Sequence, residues 1–237
     1  MTPEESMREM YDDAYFDRDL HRHHWFTNNA AKRERRMREV FRMLEPRAGD
    51  RILEIGCGAG EHALALAHAA GTVIGIDAAH AGIVRARDRG GRELTANAHF
   101  AVADAAALPL ASASMDKVAA IDFVEHVDDV ALSRILREVR RVLVDDGIVA
   151  VYTPCLTHYV ERLKAREFML RQIPGHIAVR APAHCASLLA AAGFAVRACR
   201  FLPSDYPLFG VIDRLLAPLP GIGDFFRFRI CMVAAKA

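Results

Sequence analysis

The stretch Arg51–Gly60, Arg-Ile-Leu-Glu-Ile-Gly-Cys-Gly-Ala-Gly, constrains the fold of this chain more than any other. An apolar run, Ile52-Leu53 and Ile55, leads directly into three glycines at alternate positions, Gly56, Gly58 and Gly60. That is the pattern of a buried parallel strand which must turn at once into a helix. Glycine lets such a turn take positive φ and lets a ligand lie against bare backbone. The helix that follows, from Glu61, would aim its N-terminal amides and positive dipole end at the ligand. The stretch therefore predicts a nucleotide-like cofactor across a strand–loop–helix corner. The dinucleotide spacing Gly-x-Gly-x-x-Gly is not met, because Glu61 stands at its third glycine position.

From Arg51 onward the chain alternates strands and helices, which argues for a doubly wound parallel sheet. Strands are expected at about 51–56, 73–77, 98–103, 117–122 and 147–153. Helices are expected at about 61–70, 79–89 and 131–143, with a short one near 105–108. A helix over 184–192 would stop at Gly193, as helices often do at glycine. Phe194–Phe201 and Arg227–Ala235 read as sixth and seventh strands. Before Arg51 the chain reads as a helical segment, 1–48. It holds a first helix with Met7, Met10, Tyr11 and Tyr15-Phe16 on one stripe, then a His/Trp cluster. A second helix, from about Asn29 to Leu44, is basic on one face and carries Met37, Val40, Phe41 and Leu44 at helical spacing for docking. The organisation expected is an N-terminal lid, 1–48, and a main domain, 49–237, with capping insertions at about 155–180 and 203–227.

Two further acidic residues stand where the cofactor would need them. Asp77 closes the second strand, Val73-Ile74-Gly75-Ile76-Asp77, about 20 residues beyond the glycine loop, where a carboxylate can accept from both ribose hydroxyls. Asp104 closes the third, Ala101-Val102-Ala103-Asp104-Ala105, and is followed by Leu108-Pro109. With Glu54-x-Gly56-x-Gly58-x-Gly60, this order closely resembles the class I S-adenosylmethionine (SAM)-dependent methyltransferases, in particular the quinone and natural-product methyltransferases. The resemblance spans roughly 50–155. It implies a Rossmann-like, seven-stranded, mostly parallel sheet with an antiparallel last strand, and SAM as cofactor with S-adenosylhomocysteine as product. It assigns the cofactor to Glu54, Gly56, Cys57, Gly58, Gly60, Asp77, Ala78, Asp104, Ala105 and Asp122, with Asp104 and the Ala105 amide at the adenine. The expected activity is methyl transfer to a small molecule, a hydroxyl before nitrogen or carbon. The alternatives are a homologue that binds SAM without catalysis and an NAD-dependent oxidoreductase, the latter disfavoured by Glu61 and Asp104.

The fourth strand ends Asp122-Phe123-Val124-Glu125-His126, and ligand crevices in open α/β sheets lie at the carboxyl ends of the strands. Methyl transfer depends chiefly on aligning the acceptor. A base is useful when the acceptor carries a proton, a task for which histidine is suited. His126 and His176, in Pro174-Gly175-His176, are the candidates. Asp122, Glu125 and His126 also resemble a Glu-x-x-Glu-His metal-ligand pattern of some methyltransferases, with aspartate in the first place and His176 as a further ligand. Oxygen and imidazole donors of this kind suit Mg²⁺ or Zn²⁺; the expectation is nevertheless a metal-free site. Tyr11, Tyr15, Trp25, Tyr159 and Phe168 are the candidate acceptor walls, because aromatics suit partly buried ligand surfaces.

Composition closes off several classes. Thirty-one basic and thirty acidic residues leave no charge footprint for nucleic acid. Five cysteines at scattered spacing form neither a disulfide framework nor a Cys-x-x-Cys metal knuckle, and read as reduced thiols of a cytoplasmic protein. No apolar run is long enough to span a bilayer. The 203–227 appendage, rich in proline and large apolar residues, would serve as a lid, a homodimer contact or a membrane contact.

Overall fold

The computed structural model describes residues 30–166, 175–205 and 207–237. Seven strands form one sheet: β1 (Arg51–Ile55), β2 (Thr72–Asp77), β3 (Ala98–Val102), β4 (Met115–Ile121), β5 (Leu143–Pro154), β6 (Phe194–Leu202) and β7 (Arg229–Lys236). Their order is β3-β2-β1-β4-β5-β7-β6. The five strands from β3 to β5 pair in parallel, and β7 inserts antiparallel between β5 and β6. The expected antiparallel edge pair is therefore present, with only β7 reversed.

Strand periodicity divides the apolar runs between the two faces. Leu53, Val118, Ala120, Val149 and Val151 enter one core with Leu132, Leu136 and Val139 of α4 (Asp129–Val142) and Leu189 of α6 (Pro182–Ala191). The alternate residues Ile52, Ala119, Ile121, Ala150 and Tyr152 enter the other. There they meet α1 (Ala30–Leu44), α2 (Glu61–Ala67) and α3 (His80–Arg92) through Val40, Leu64 and Ile83, among others. Central strands buried on both faces explain why those runs carry almost no polar residue. Of the α1 positions expected to dock, Val40 and Leu44 are buried and Phe41 packs beside them; Met37 is only half-buried, and Met43 takes the place in the core instead.

Helix boundaries follow local chemistry. Asp128 caps α4 by accepting from the Ala131 N–H at 2.8 Å, and Arg140 and Arg141 sit at its negative end. Pro182 opens α6, and Gly193 ends it at φ +80°. The short helix expected at 105–108 is a turn instead. The Asp104 side chain accepts from the Ala106 N–H, and the Leu108 N–H goes to Glu138, so the backbone bonds needed for a helix are diverted. Strand β5 begins at Leu143, four residues earlier than expected, because Leu143 pairs with Met115 across an irregular register. Gly147 fits inside this strand, where a Cβ would lie 2.8 Å from Leu143 Cδ2 and 3.0 Å from the Asp116 carbonyl.

The expected insertions contain α5 (Tyr159–Ala165) and α7 (Pro207–Leu216). Both follow the carboxyl ends of strands, β5 and β6 respectively, so they flank the crevice. Tyr11, Tyr15, Trp25 and Phe168 lie outside the described residues.

Candidate functional site

The glycine loop, the Asp77 carboxylate and the turn at Asp104 meet at the carboxyl ends of the adjacent strands β1, β2 and β3. Gly56, Gly58 and Gly60 all take left-handed φ, at +70°, +50° and +76°. At Gly56 a Cβ would stand 2.3 Å from Phe123 Cδ2, so both conformation and space require glycine there. Gly60 opens α2 without a side-chain cap. Asp77 braces the loop from below: Oδ2 accepts from the Gly58 N–H and Oδ1 from the Ala79 N–H, both at 2.8 Å. Burial raises its pKa, and these two amide donors work against that shift. Ala78 is exposed beside it, and Cys57 turns its thiol inward beneath Gly75, leaving backbone to face the loop.

Glu54 is buried on β1. His62 Nδ1 donates to its Oε1 at 3.1 Å, while Oε2 has no hydrogen-bond partner among the described residues. An orphaned buried carboxylate oxygen calls for a donor. With the open glycine cradle, the Asp77 carboxylate and the exposed Asp104–Ala105 turn, it makes a donor set that fits an amino acid joined to a nucleoside. Glu54 would meet the ammonium, Asp77 the ribose hydroxyls, and Asp104 and Ala105 the base.

The opposite wall is built from the end of β4. Asp122 sits at φ +49° with Oδ1 2.5 Å from Arg229 Nη1 and Oδ2 3.2 Å from Arg36 Nη1. Burial opposes its ionisation, but the two guanidiniums outweigh that and hold the carboxyl well below the usual carboxylate range. The residue expected to meet the cofactor is thus tied to α1 and β7. Arg229 also lies 5.3 Å from the Tyr152 ring centroid.

A single 3-10 turn, Val124–His126, presents Glu125 and His126. Glu125 is fully buried; its Oε2 accepts from the Thr153 hydroxyl at 2.9 Å, and Oε1 has no partner among the described residues. Burial, reinforced by Asp122, pushes its pKa up to about 8. His126 Nδ1 donates to the Gly175 carbonyl at 2.9 Å, which fixes the tautomer and makes Nε2 the basic nitrogen. Burial lowers its pKa. His176 meets it edge to face, ring centroids 5.0 Å apart, and burial with the neighbouring His126 takes the His176 pKa down to about 3. Ligand atoms of Glu125, His126 and His176 lie within 4.8 Å of one another, whereas Asp122 is held by its arginines.

Arg180 gives no signal in the sequence, yet it organises this wall. Its side chain is 3 % exposed. The guanidinium donates to the Val124, Val127 and Ala178 carbonyls at 2.5, 2.7 and 3.0 Å and to Asp129 at 2.8 Å. The Glu125 carbonyl accepts from the Ile177 and Ala178 amides, both at 3.0 Å. The turn bearing His126 and the segment bearing His176 are thereby locked together. Tyr159, the remaining candidate wall residue, is half-buried and packs its ring against Phe209 and Phe226 at 6.0 and 5.7 Å.

Comparison with known proteins agrees with this geometry. A methyltransferase-domain family model matches residues 52–147. The 27-O-demethylrifamycin SV methyltransferase of Amycolatopsis mediterranei (strain S699) is 35% identical over 144 residues, covering 59% of this chain and 52% of that protein. The O-methyltransferase resE of Aspergillus sclerotiorum is 34% identical over 145 residues, covering 60% and 54%. This chain spans about half the length of these curated relatives. In structure it is similar to magnesium protoporphyrin IX methyltransferase of Synechocystis PCC 6803, solved with bound S-adenosylhomocysteine, at TM-score 0.71 and 17% identity over 99% of this chain and 100% of that one. Residues 52–147 thus carry a methyltransferase domain, and its cofactor is SAM.

Proposed function

We propose that this chain is a class I SAM-dependent methyltransferase that methylates a small-molecule acceptor, at a hydroxyl group, in a metal-free site. The observation that carries the reading is His126, held in one tautomer by the Gly175 carbonyl at the carboxyl end of β4, across the crevice from the glycine loop. Its matched relatives include proteins named as O-methyltransferases, which supports oxygen over nitrogen or carbon.

The bound cofactor supplies an electrophilic methyl group. The glycine loop, Asp77 and the Asp104 turn hold and orient it, and the apolar segments around α5 and α7 exclude water from the acceptor. His126 Nε2 takes the proton of the acceptor hydroxyl, a contribution of about 10²–10⁴ in rate where such a base is positioned. His176 packs edge-on against His126 and keeps its ring in place. Helices α5 and α7, after the carboxyl ends of β5 and β6, flank the acceptor in this reading. Five unpaired cysteines accord with a reducing, cytoplasmic setting, and among the described residues no helix is long and apolar enough to cross a membrane.

The test is incubation with SAM and a panel of phenolic and aliphatic hydroxyl compounds, read by mass spectrometry for gain of one methyl. His126→Gln should lower kcat by about 10² or more with SAM affinity unchanged. Methylation at nitrogen or carbon, or SAM binding with no product from any pool, would overturn the assignment to a hydroxyl.

A second reading rests on the convergence of Glu125, His126 and His176, with two orphaned atoms, Glu125 Oε1 and His176 Nδ1, among them. One carboxylate and two imidazoles suit Zn²⁺ or Mg²⁺. Loss of activity in EDTA, restored by a divalent cation and abolished by Glu125→Gln, would establish it; full activity in EDTA would end it.

A further inference from the structure

Helix α7 (Pro207–Leu216) is packed inside out. Its inward positions are Gly210, where a Cβ would stand 2.4 Å from the Ser204 carbonyl, and Asp213, which is fully buried. The Asp213 carboxylate accepts from the Ser204 N–H at 2.7 Å and from His158 Nε2 at 3.2 Å, while His158 Nδ1 accepts from the Val160 N–H. This polar anchor fixes the roll of the helix and leaves its apolar stripe outward: Leu208 is 77% exposed and Leu215 69%, with Val211 and Ile212 between them. The turn that follows adds Leu219, Ile222 and Phe225. A helix normally hides its apolar stripe, and a contiguous exposed one marks an interaction surface.

Positive charge borders this stripe. Arg162 lies 4.5 Å above the Phe225 ring, Arg166 follows one helical turn on, and Arg214 projects from α7 itself; all three are exposed and none has a carboxylate partner among the described residues. The nearby exposed acid, Asp224, is taken by Arg227. The segment joins the end of β6 to the start of β7, so it sits at the crevice edge of the sheet.

We propose that the outer face of α7 and the 219–225 turn docks on an anionic lipid surface, with Arg162, Arg166 and Arg214 at the headgroups. The charge decides between occupants: two copies meeting through this face would bring like-charged arginines together, whereas an anionic bilayer neutralises them while it takes up the leucines. Docking in this orientation turns the crevice towards the membrane. The proposal concerns the surface alone and is read without turnover, so it stands or falls separately from the methyl-transfer reading.

The full chain should co-sediment with vesicles of phosphatidylcholine and phosphatidylglycerol, and far less with phosphatidylcholine alone. Leu208→Glu/Leu215→Glu should weaken that binding by roughly tenfold or more, since each change removes apolar area and adds a repelled charge. Arg162→Glu/Arg214→Glu should do the same and flatten the dependence on salt, with SAM affinity and far-UV circular dichroism unchanged in both variants. The proposal is overturned if wild type pellets equally with and without vesicles or binds both lipid compositions alike. It is equally overturned if sedimentation velocity finds a dimer that Leu208→Glu/Leu215→Glu dissociates.

Discussion

Asp122→Asn isolates the charge that joins three distant parts of the fold. Asparagine tolerates the left-handed φ of +49° and keeps the shape of the side chain, so the change removes a charge and little else. Arg229 and Arg36, with side chains 10% and 20% exposed, would then face each other across the crevice without their carboxylate. Direct attraction at these separations is about 5 kcal/mol per pair at an effective dielectric constant near 20. Desolvation offsets much of it when the whole group is compared with an apolar one, but deleting one partner strands the others at a cost of about 3–5 kcal/mol. For a chain of this size that corresponds to a fall in Tm of about 6–20 °C. The assay is urea and thermal unfolding followed by circular dichroism. The folded pKa of Asp122 is depressed, so its contribution is complete above the unfolded value of about 3.9 and is lost as pH falls towards the folded one. The gap between wild type and Asp122→Asn should therefore be constant from pH 7 to about 5 and shrink below about pH 4. A gap under about 1 kcal/mol at pH 7, or one that widens in acid, would refute the reasoning.

Gly56→Ala should reduce SAM affinity by at least about tenfold and destabilise the fold by about 1–3 kcal/mol, since the new methyl meets Phe123 at 2.3 Å on a left-handed backbone; titration calorimetry and Tm read both effects, and wild-type affinity would contradict it. Arg180→Gln should lower Tm and also reduce kcat well beyond any change in the Kd for SAM, because the guanidinium bonds hold the His126 turn rather than the cofactor loop. Equal loss in kcat and in SAM affinity would instead point to a general structural role. His158→Phe should destabilise by about 1–3 kcal/mol through the unpaired Asp213 carboxylate, measured by urea unfolding, and Asp213→Leu in that background should recover part of the loss.

What the sequence made legible depended on how local each cause was. The β1 strand, the glycine loop and the acids closing β2 and β3 are read from adjacent residues, because backbone sterics and strand burial act within a few positions. The Ala105–Leu108 turn misled because alanines favour helix, while the deciding bonds came from Asp104 and from Glu138, thirty residues away. Arg229, 107 residues from Asp122, carried no local signal at all. Nor did Arg180, whose four partners belong to the 124–129 stretch and its own 175–180 segment. His126 and His176 were both visible as candidates, but their edge-to-face contact requires the 175–180 segment to fold back over β4. The basic face of α1 was visible as such, but not its partners: Arg35 and Arg36 clamp Asp205 and Asp122.

The central claim is that the glycine loop, braced by Asp77, seats SAM. Titration calorimetry with SAM, on wild type and on Asp77→Ala, tests it most directly. The account predicts one site per chain in the wild type and loss of detectable binding in Asp77→Ala, with the variant still folded by circular dichroism. Absence of SAM binding to the wild type, or undiminished affinity in Asp77→Ala, would contradict it.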